Sequence, residues 1–368
     1  MTPARCPRLA TVIRRSITLS AACLSALALG ACASAPRAGP APEALRWEAH
    51  ASGTTESLRA LSVVSAKVAW ASGAHGTFLR TVDGVNWQAG RVSGAEQLDF
   101  RDVQAFDAER AVLISAGTPS RIYRTLDGGK QWTLVSEDRR PGAFFDAMAF
   151  WDDRVGLAVG DPLQGRFVVL RTDDGGATWT EVSSPAALPG EGAFAASGTC
   201  LTVQGSSDAW FGSGGPVARV FHSSDGGLTW NVSETPLVHG NPSSGVFSLA
   251  FRDAAHGVAI GGDYKQPTAR LPGFASTSDG GATWKLGGQP SGYRSAVAYA
   301  TTEDSATLVA VGSSGSEYSL DGGATWTLFD EGPFNAVAFA SGVGWAVGPD
   351  GRLSRLSGVL SDRHRPTR

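Results

Sequence analysis

The chain has 368 residues, of which 42% are hydrophobic and 18% charged, and it contains 47 glycines. This length and composition suit one large all-β domain and exclude an intrinsically disordered chain. The formal net charge of −3 excludes the strongly basic balance that nucleic-acid-binding proteins present to phosphates.

Residues 1–31 have the composition of an export signal. The mostly apolar segment from Ser16 to Ala31 has 16 residues, too few to span a bilayer by itself. It runs into "LGAC", Leu29 to Cys32, which resembles the cleavage box of bacterial lipoproteins. That resemblance implies that Cys32 becomes the acylated first residue of an exported protein. Ala33 after it favours an outer-membrane anchor facing the periplasm, and an ordinary signal peptide with a chance cysteine is the alternative.

The signal also carries four arginines and no acidic residue, so its removal would change the formal charge from −3 to −7. Those arginines are Arg5, Arg8, Arg14 and Arg15. After the signal, "ASAPRAGPAPEA" (Ala33–Ala44) is rich in proline and alanine, so we interpret residues 32–44 as a tether. "LRWEAHASG" (Leu45–Gly53) follows and is predicted to form a strand.

Six copies of one short pattern follow, and their aspartates are separated by 44, 47, 51, 54 and 42 residues. The copies read "RTVDGVNWQ", "RTLDGGKQWT", "RTDDGGATWT", "HSSDGGLTWN", "STSDGGATWK" and "YSLDGGATWT". A period of roughly 40–50 residues with short strands is typical of β-propeller blades. A catalytic acid would be needed once or twice rather than six times, so we interpret the repeat as architectural. The repeated residues are Asp83, Asp127, Asp174, Asp225, Asp279 and Asp321, with Trp87, Trp132, Trp179, Trp230, Trp284 and Trp326.

Each copy has the chemistry of a hairpin turn. The aspartate carboxylate accepts hydrogen bonds from the next backbone amides. The Gly-Gly pair supplies the positive φ of a tight connection, and the tryptophan offers a large apolar face to a neighbouring blade. In the first copy Asp83 and Trp87 are only four residues apart and one glycine is missing, which predicts a distorted turn.

Further strands precede each copy, as in Phe144–Phe150, Val155–Asp161 and Arg166–Thr172. After the sixth copy, Phe334–Leu356 supplies three strands and no repeat. The missing fourth strand is predicted at the other end, where Trp47 stands in the position of a repeat tryptophan. The sequence therefore predicts an all-β, seven-bladed β-propeller over residues 45–356, closed by an N-terminal strand in the last blade. Six blades with an open edge are the alternative, and residues 357–368 are predicted to be a disordered basic tail.

The repeat resembles the Asp-box, or bacterial neuraminidase repeat, of the sialidase superfamily. Together with "VGLAVGDPLQGRFVVLRTDDGGATW" and the signal, the blades resemble the photosystem II stability/assembly factor-like propellers over about Leu45 to Leu356. That resemblance implies a non-catalytic scaffold that binds other proteins during assembly. Applied to an exported lipoprotein, it implies envelope proteins as partners of a monomeric propeller. Photosystem partners are expected only in a photosynthetic source.

Propeller topology places the repeat turns on one face of the ring and any binding surface on the opposite face, at the mouth of the central channel. The first strand of each blade begins at that mouth, and the loop between the second and third strands also lies there. Alignment of the first strands puts Arg59, Asp102, Asp146, Phe247, Ser295 and Asn335 at equivalent positions. Mixed charges and aromatics on the entering loops complete a candidate recognition surface. Its predicted members are Arg59, Arg101, Asp102, Asp146, Asp161, His239, Asp263, Tyr264 and Arg294.

Two other functions stay open. A sialidase-type glycoside hydrolase would need three arginines around a carboxylate, with Arg59, Arg101 and Arg294 as candidates, and a tyrosine such as Tyr264 or Tyr293. The Arg-Ile-Pro signature typical of sialidases is missing, so the sequence favours a non-catalytic role. A propeller that binds carbohydrate without turnover is the second alternative, and it would use Phe247, Tyr264 and Tyr293 with the surrounding polar groups as a platform.

No cofactor or metal is predicted. The chain has no Gly-rich phosphate loop, and its six histidines are scattered rather than grouped with cysteines at metal-binding spacing. Cys200 is the one cysteine left after signal removal and lipidation at Cys32, so no intrachain disulfide is available. We expect Cys200 to pack as a small buried apolar residue.

Overall fold

The structure is a computed structural model, and it describes residues 44–300 and 306–358. The predicted signal, Cys32, nearly all of the tether and most of the basic tail lie outside the described residues. Within the described ranges every regular element is a strand, and no helix is long and apolar enough to cross a membrane. The strands form seven antiparallel sheets, which confirms the all-β prediction.

The N-terminal strand and the first three blades have the following bounds. They are β1 (Arg46–Ala49), then β2 (Leu58–Val63), β3 (Ala69–Gly73), β4 (Thr77–Thr81) and β5 (Trp87–Arg91), then β6 (Asp99–Ala105), β7 (Ala111–Ala116), β8 (Ser120–Thr125) and β9 (Thr133–Asp138), then β10 (Phe145–Phe150), β11 (Gly156–Leu163), β12 (Arg166–Thr172) and β13 (Thr180–Glu181).

The remaining blades continue in chain order. They are β14 (Leu201–Gln204), β15 (Asp208–Gly212), β16 (Gly214–Gly215), β17 (Arg219–Ser223) and β18 (Asn231–Glu234), then β19 (Asn241–Phe251), β20 (Gly257–Asp263), β21 (Phe274–Thr277) and β22 (Lys285–Leu286), then β23 (Ala296–Tyr299), β24 (Leu308–Gly312), β25 (Gly315–Ser319) and β26 (Thr327–Asp330), then β27 (Ala336–Ala340), β28 (Val343–Val347) and β29 (Leu353–Ser357). The short β16 leaves blade 4 and pairs with β19 of blade 5.

The ring closes through the N-terminal strand. β1 pairs antiparallel with β29, with Trp47 opposite Leu356, so the last blade is β27-β28-β29-β1. The first strands of consecutive blades contact one another around the ring, and β2 of blade 1 contacts β27 of blade 7. Seven blades with this closure are confirmed, and the six-bladed alternative is wrong because the three strands after the last repeat have their fourth partner.

Apolar clusters fill the spaces between adjacent blades, and the repeat tryptophans take part in them as predicted. The ring centroid of Trp87 lies 5.1 Å from that of Trp345 in blade 7, and Trp326 lies 5.2 Å from Phe274 in blade 5. These two tryptophans therefore contact the blade before their own. Cys200 is free and buried in one of these clusters, as expected.

The repeat turns have the predicted hydrogen bonds. In the fourth copy Asp225 Oδ1 accepts the backbone amide of Thr229 at 2.9 Å and the hydroxyl of Ser223 at 2.8 Å, and Oδ2 accepts the Thr229 hydroxyl at 2.6 Å. The side-chain hydrogen bond from Thr229, partly opposed by burial, lowers the Asp225 pKa to about 2. Gly226 and Gly227 have φ of 77° and 88°, a conformation that favours glycine.

The first copy of the repeat, which departs from the pattern, forms the turn with a different residue type at one position. Asn86 occupies the place of the repeat threonine and donates from Nδ2 to Asp83 Oδ2 at 2.8 Å. Its backbone amide also donates to Asp83 Oδ1 at 2.7 Å. An amide side chain thus replaces the hydroxyl of the regular copies.

Arginines just before the repeat link neighbouring blades, a role that the sequence reading did not assign. Arg80 donates to the carbonyl of Gly128 at 2.8 Å, and Arg124 donates to the carbonyl of Gly175 at 2.9 Å. Each arginine belongs to one blade and each glycine to the repeat turn of the next. The carbonyls of these turns are therefore satisfied by charged donors across the blade boundary.

Candidate functional site at the channel mouth

The repeat turns and the candidate site lie at opposite ends of the blades. Each repeat turn joins strands three and four and contacts the loop between strands one and two, as where the amide of Gly175 donates to the carbonyl of Arg154 at 2.8 Å. The candidate residues begin the first strands or follow the second strands. The repeat aspartates thus lie away from the mouth.

In four blades the first strand has an irregularity near its start that decides which side chains occupy equivalent positions. In the first blade the pairing of β2 with β3 shifts register between Leu58 and Ala60, and the same shift occurs in three other blades. The residues at the shifts are Arg59, Arg101, Asp146 and Phe247. Arg101 rather than Asp102 is therefore equivalent to Arg59, so the sequence alignment was wrong by one residue in this blade. The apolar pattern of a strand does not reveal an extra residue at a bulge, which is why the alignment missed it.

A segment between β13 and β14 crosses the channel, and the sequence reading missed it. We call residues 193–199, "AFAASGT", the channel segment. The carbonyl of Ala195 accepts from Arg101 Nη1 of blade 2 at 3.1 Å. Ser197 Oγ donates to the carbonyl of Ser295 in blade 6 at 2.9 Å. Contacts with blades that are far apart in the ring show that the segment occupies the channel below the mouth.

The small side chains of the channel segment are required by close approach. A Cβ on Gly198, whose φ is +78°, would lie 2.2 Å from Asp102 Oδ1. Phe194 is the one large side chain of the segment, and it stacks on Phe247 of blade 5 at 3.8 Å between ring centroids. The run of small residues was visible in the sequence, but nothing in it indicated that the run enters the channel.

Two arginines share one aspartate at the mouth. Arg101 Nη2 lies 2.7 Å from Asp99 Oδ2, and Arg59 Nε lies 3.8 Å from Asp99 Oδ1. The Nε atoms of both arginines are buried and have no hydrogen-bond partner among the described residues. Burial, followed by the positive charge of Arg101, lowers the pKa of Arg59. Two cations against one anion leave this spot electropositive and suited to an anionic group.

Aromatic side chains adjoin the arginine pair. The buried ring of Phe247 lies 4.8 Å from that of Tyr293 and 6.2 Å from that of Tyr264, both in edge-on geometry. Tyr264 is 46% exposed and extends the aromatic surface to solvent. Burial raises the pKa of Tyr293 further above its usual range, with a smaller contribution from Tyr264. Its hydroxyl is therefore neutral at physiological pH.

Three carboxyl groups lie near the channel segment, and their surroundings differ. Asp102 is fully buried and accepts the amides of Val103 and Met148 at 2.7 and 2.8 Å. Asp146 is fully buried, and neither of its oxygens has a hydrogen-bond partner among the described residues, although the amides of Ala195 and Asp161 lie nearby. Burial and then the charge of Asp161 raise the pKa of Asp146 well above its usual range, and Arg101 opposes the shift.

Asp161 is the third carboxyl group and the one open to solvent. Burial raises its pKa to about 6, against one hydrogen bond from the amide of Ala193. That bond is 3.0 Å long and ends on Oδ1. A carboxylate held in such an environment without a cation is typical of a functional site.

We expect Asp161→Asn to stabilise the fold at neutral pH. A folded-state pKa of about 6 against an ordinary 3.8 means that ionisation favours unfolding, so wild-type stability falls as pH rises from about 4 to about 6. The variant avoids that loss and should gain up to about 3 kcal/mol at pH 7 and almost nothing at pH 4. Urea unfolding at both pH values measures the difference.

Asp173→Asn is the matched control, because that side chain is 66% exposed. It should shift stability by less than about 1 kcal/mol at either pH. A variant at Asp161 that is no more stable than wild type at neutral pH would contradict the environment described for this carboxyl group.

The other predicted site residues lie apart from the arginine pair or serve local structure. Arg294 is fully buried in an ion pair with Glu317, whose Oε2 lies 2.8 Å from Nη2. His239 contacts the carbonyl of Leu237 through Nδ1 at 2.8 Å. Burial opposes ionisation of Asp263, but hydrogen bonds from Ser243 and neighbouring groups of its own loop outweigh it and lower its pKa. The three candidate arginines therefore do not converge, and in the described part of the chain no group of three or more His, Cys, Asp or Glu side chains could hold a metal ion.

No family model matches the chain. Over 165 residues it is 27% identical to the photosystem II assembly lipoprotein Ycf48 of Synechococcus sp. (strain CC9902), a match that covers 45% of this chain and 45% of that protein. The chain thus spans about half the length of the curated relative that it matches.

Two solved structures share the fold. One is described as YCF48 bound to D1 peptide, with a TM-score of 0.60 and 18% identity over 84% of this chain and 94% of that chain. The other is YCF48 from Cyanidioschyzon merolae, with a TM-score of 0.59 and 16% identity over 84% of this chain and 98% of that chain. The resemblance to photosystem II assembly-factor propellers, first seen in the repeats, is therefore confirmed at low sequence identity and in the fold of these two structures.

Proposed function

We propose that this protein is a non-catalytic, lipid-anchored propeller of the bacterial envelope that binds another protein at its channel mouth during assembly. The observation that carries the proposal is the pair Arg59 and Arg101, which share one aspartate beside exposed aromatic surface. An acidic group on a partner would supply the charge that Asp99 alone does not. Partly buried arginines next to aromatic residues are typical of the residues that dominate binding energy at interfaces.

The comparisons support a protein partner. The matched relative is named as an assembly lipoprotein, and one structure of the same fold was solved with a peptide bound. We transfer only the kind of partner, a segment of a protein to be assembled. The proposed anchor at Cys32 rests on the "LGAC" motif and the proposed outer-membrane position on Ala33 after it. Cys32→Ser should release the protein from the membrane fraction.

The glycoside hydrolase alternative loses support from the geometry. Arg294 is held by Glu317 and cannot join Arg59 and Arg101 around a carboxylate. Among the described residues, neither Tyr264 nor Tyr293 donates its hydroxyl hydrogen to a glutamate that would activate it as a nucleophile. Carbohydrate binding at the aromatic surface stays a prediction from the sequence.

The test is crosslinking of the tagged full chain in its own cells, followed by purification and identification of envelope proteins. The variant Arg59→Ala with Arg101→Ala is expected to reduce recovery of a specific partner at least about tenfold, since two partly buried positive charges at the proposed interface are lost. Arg91→Ala is the control, because Arg91 lies on β5 with 57% of its side chain exposed. Recovery that is equal for wild type, double variant and untagged cells would refute binding at the mouth.

A further inference from the structure

A groove lies beside the channel mouth, and the proposed function assigns no role to the residues that line it. It has a volume of about 610 Å³ and lies between loops of blades 3 and 4, with Pro242 of blade 5 at its edge. Its walls consist mainly of glycine and proline backbone, together with the apolar side chains of Leu188 and Phe194. Two carboxylates line it, Asp161 and Glu191, and none of the described residues that line it is a Lys, Arg or His.

Glu191 is already neutralised within the protein. It forms an ion pair with Arg219, accepts the hydroxyl of Ser213 at 2.6 Å and accepts the amide of Leu188 at 2.8 Å. Its side chain is fully buried by these partners. The charge available to a ligand in the groove is therefore that of Asp161.

Asp161 has no such compensation. Its Oδ1 accepts the amide of Ala193, and no cationic group of the described residues lies within 4.0 Å of either oxygen. Behind it lies the fully buried Asp146, and neither of its oxygens has a hydrogen-bond partner in the part of the chain that the structure describes. The charge of Arg101 acts on Asp146, but no cation of the described residues contacts Asp161. An uncompensated, largely buried carboxylate is unusual, because buried charges in proteins are ordinarily paired.

We propose that this groove binds a primary ammonium group, that of a lysine side chain on a polypeptide partner, through Asp161. The inference goes beyond the proposed function, since it holds whether or not Arg59 and Arg101 bind a protein. An ammonium ion would supply the positive charge that Asp161 lacks. The bound positive charge would also offset the burial that raises the pKa of Asp161.

The geometry favours an ammonium over a guanidinium group. Oδ1 of Asp161 is occupied by the Ala193 amide, so one carboxylate oxygen is open. A guanidinium fork prefers two open oxygens, whereas an ammonium is a point charge with three donors that backbone carbonyls can share. The apolar walls at Pro162, Leu188 and Pro189 suit the methylene stem of a lysine.

The charged and titratable groups around the two acids decide the pH dependence. Arg101 faces Asp146 from β6 and is held by Asp99, Asp102 lies on the same strand, and Cys200 lies before β14. None of these is a free cation at Asp161. Because the pKa of Asp161 is about 6, ammonium binding should weaken as pH falls from about 7.5 to about 5.

The experiment uses the purified full chain and saturation-transfer NMR with Nα-acetyl-lysine methylamide as the probe. We expect saturable binding with a dissociation constant of about 1 mM or weaker at pH about 7.5, as suits one small ligand. Nε-acetylation of the probe, which removes its charge, should abolish binding. The arginine analogue should bind at least about fivefold more weakly, because its planar guanidinium group needs two open carboxylate oxygens. Ethanolamine should also bind at least about fivefold more weakly, because it lacks the methylene chain that contacts the apolar walls.

Two variants locate the binding. Asp161→Asn should weaken the probe at least about tenfold, and Gly192→Ala should weaken it without a change of charge, because the new Cβ would lie 2.7 Å from Asp161 Oδ1. Glu331→Gln, at an exposed acid on the loop before β27, is the control and should bind like wild type. Thermal unfolding of each variant checks that it is folded.

Three outcomes would overturn the assignment. They are no saturable binding up to about 50 mM probe, equal binding by Asp161→Asn, and equal binding of the Nε-acetylated probe. If ethanolamine binds as tightly as the lysine probe, a lysine side chain is not the ligand and the proposal fails in that form. None of these results depends on retrieval of a partner from cells, so failure here is distinct from failure of the proposed function.

Discussion

Arg294→Met is expected to destabilise the fold by about 3–5 kcal/mol, because it leaves Glu317 charged and buried without its partner. The guanidinium of Arg294 is fully buried, and Nε and Nη2 contact Glu317 Oε2 at 3.0 and 2.8 Å. It also donates to the hydroxyls of Ser291 and Ser314 at 2.9 and 2.8 Å. Removal of the guanidinium group leaves several buried polar groups between β23 and β25 without their hydrogen-bond partner. Urea unfolding followed by tryptophan fluorescence measures the change.

The control for this prediction is Arg91→Met, which breaks an exposed pair with Glu56 at 2.7 Å. An exposed ion pair contributes little, so the expected change is less than about 1 kcal/mol. The double variant Arg294→Met with Glu317→Leu should recover part of the loss, because it removes both charges. If Arg294→Met alone unfolds as wild type does, Arg294 is not the structural ion-pair partner described, and its exclusion from the mouth would need revision.

Trp47→Ala is expected to destabilise the protein by about 3 kcal/mol, the lower end of the range for a tryptophan that is partly buried. Its Nε1 donates to Ser316 Oγ in blade 6 at 2.9 Å. Its ring contacts Phe329 and Phe334 with centroids 5.8 and 5.4 Å away. The tryptophan therefore fastens the closing strand to the neighbouring blade. Differential scanning fluorimetry and urea unfolding measure the loss.

Leu328→Ala is the control for Trp47, since Leu328 is 42% exposed and should change stability by less than about 1 kcal/mol. A chain that begins at Thr54 extends the test, because it removes β1 and leaves the edge of β29 unpaired. Unpaired edges associate, so light scattering should show oligomers that the full-length protein does not form. Monomers of wild-type stability from the truncated chain would contradict closure by β1.

Much of the fold could be predicted because its determinants are local. The carboxylate of Asp225 and its glycines form the turn within five residues, and the same turn recurs in the other copies. The spacing of those turns predicted the number of blades, and the position of Trp47 predicted the strand that closes the ring. The arginine links such as Arg80 to Gly128 were missed, because a donor in one blade and a carbonyl in the next are not adjacent in sequence.

The candidate site could be predicted only in part. Arg59, Arg101 and Tyr264 were placed at the mouth from topology, and the structure brings the two arginines together at Asp99. Asp99 itself was missed, as was the channel segment. Arg294 carried the same sequence signal as Arg101, an arginine at the start of a first strand, yet its side chain is buried against Glu317. Side-chain direction depends on the bulge, which the apolar pattern does not record.

The sequence by itself determined a ring of seven blades and the face on which the repeat turns lie, since a hairpin turn and a strand period are properties of short segments. The tertiary structure alone decided which charges meet. Asp146 and Asp161 come from one blade, Arg101 from another and the channel segment from a loop that enters between them. Their charges interact strongly only because burial removes the water that would screen them, and burial is a property of the assembled ring rather than of any segment.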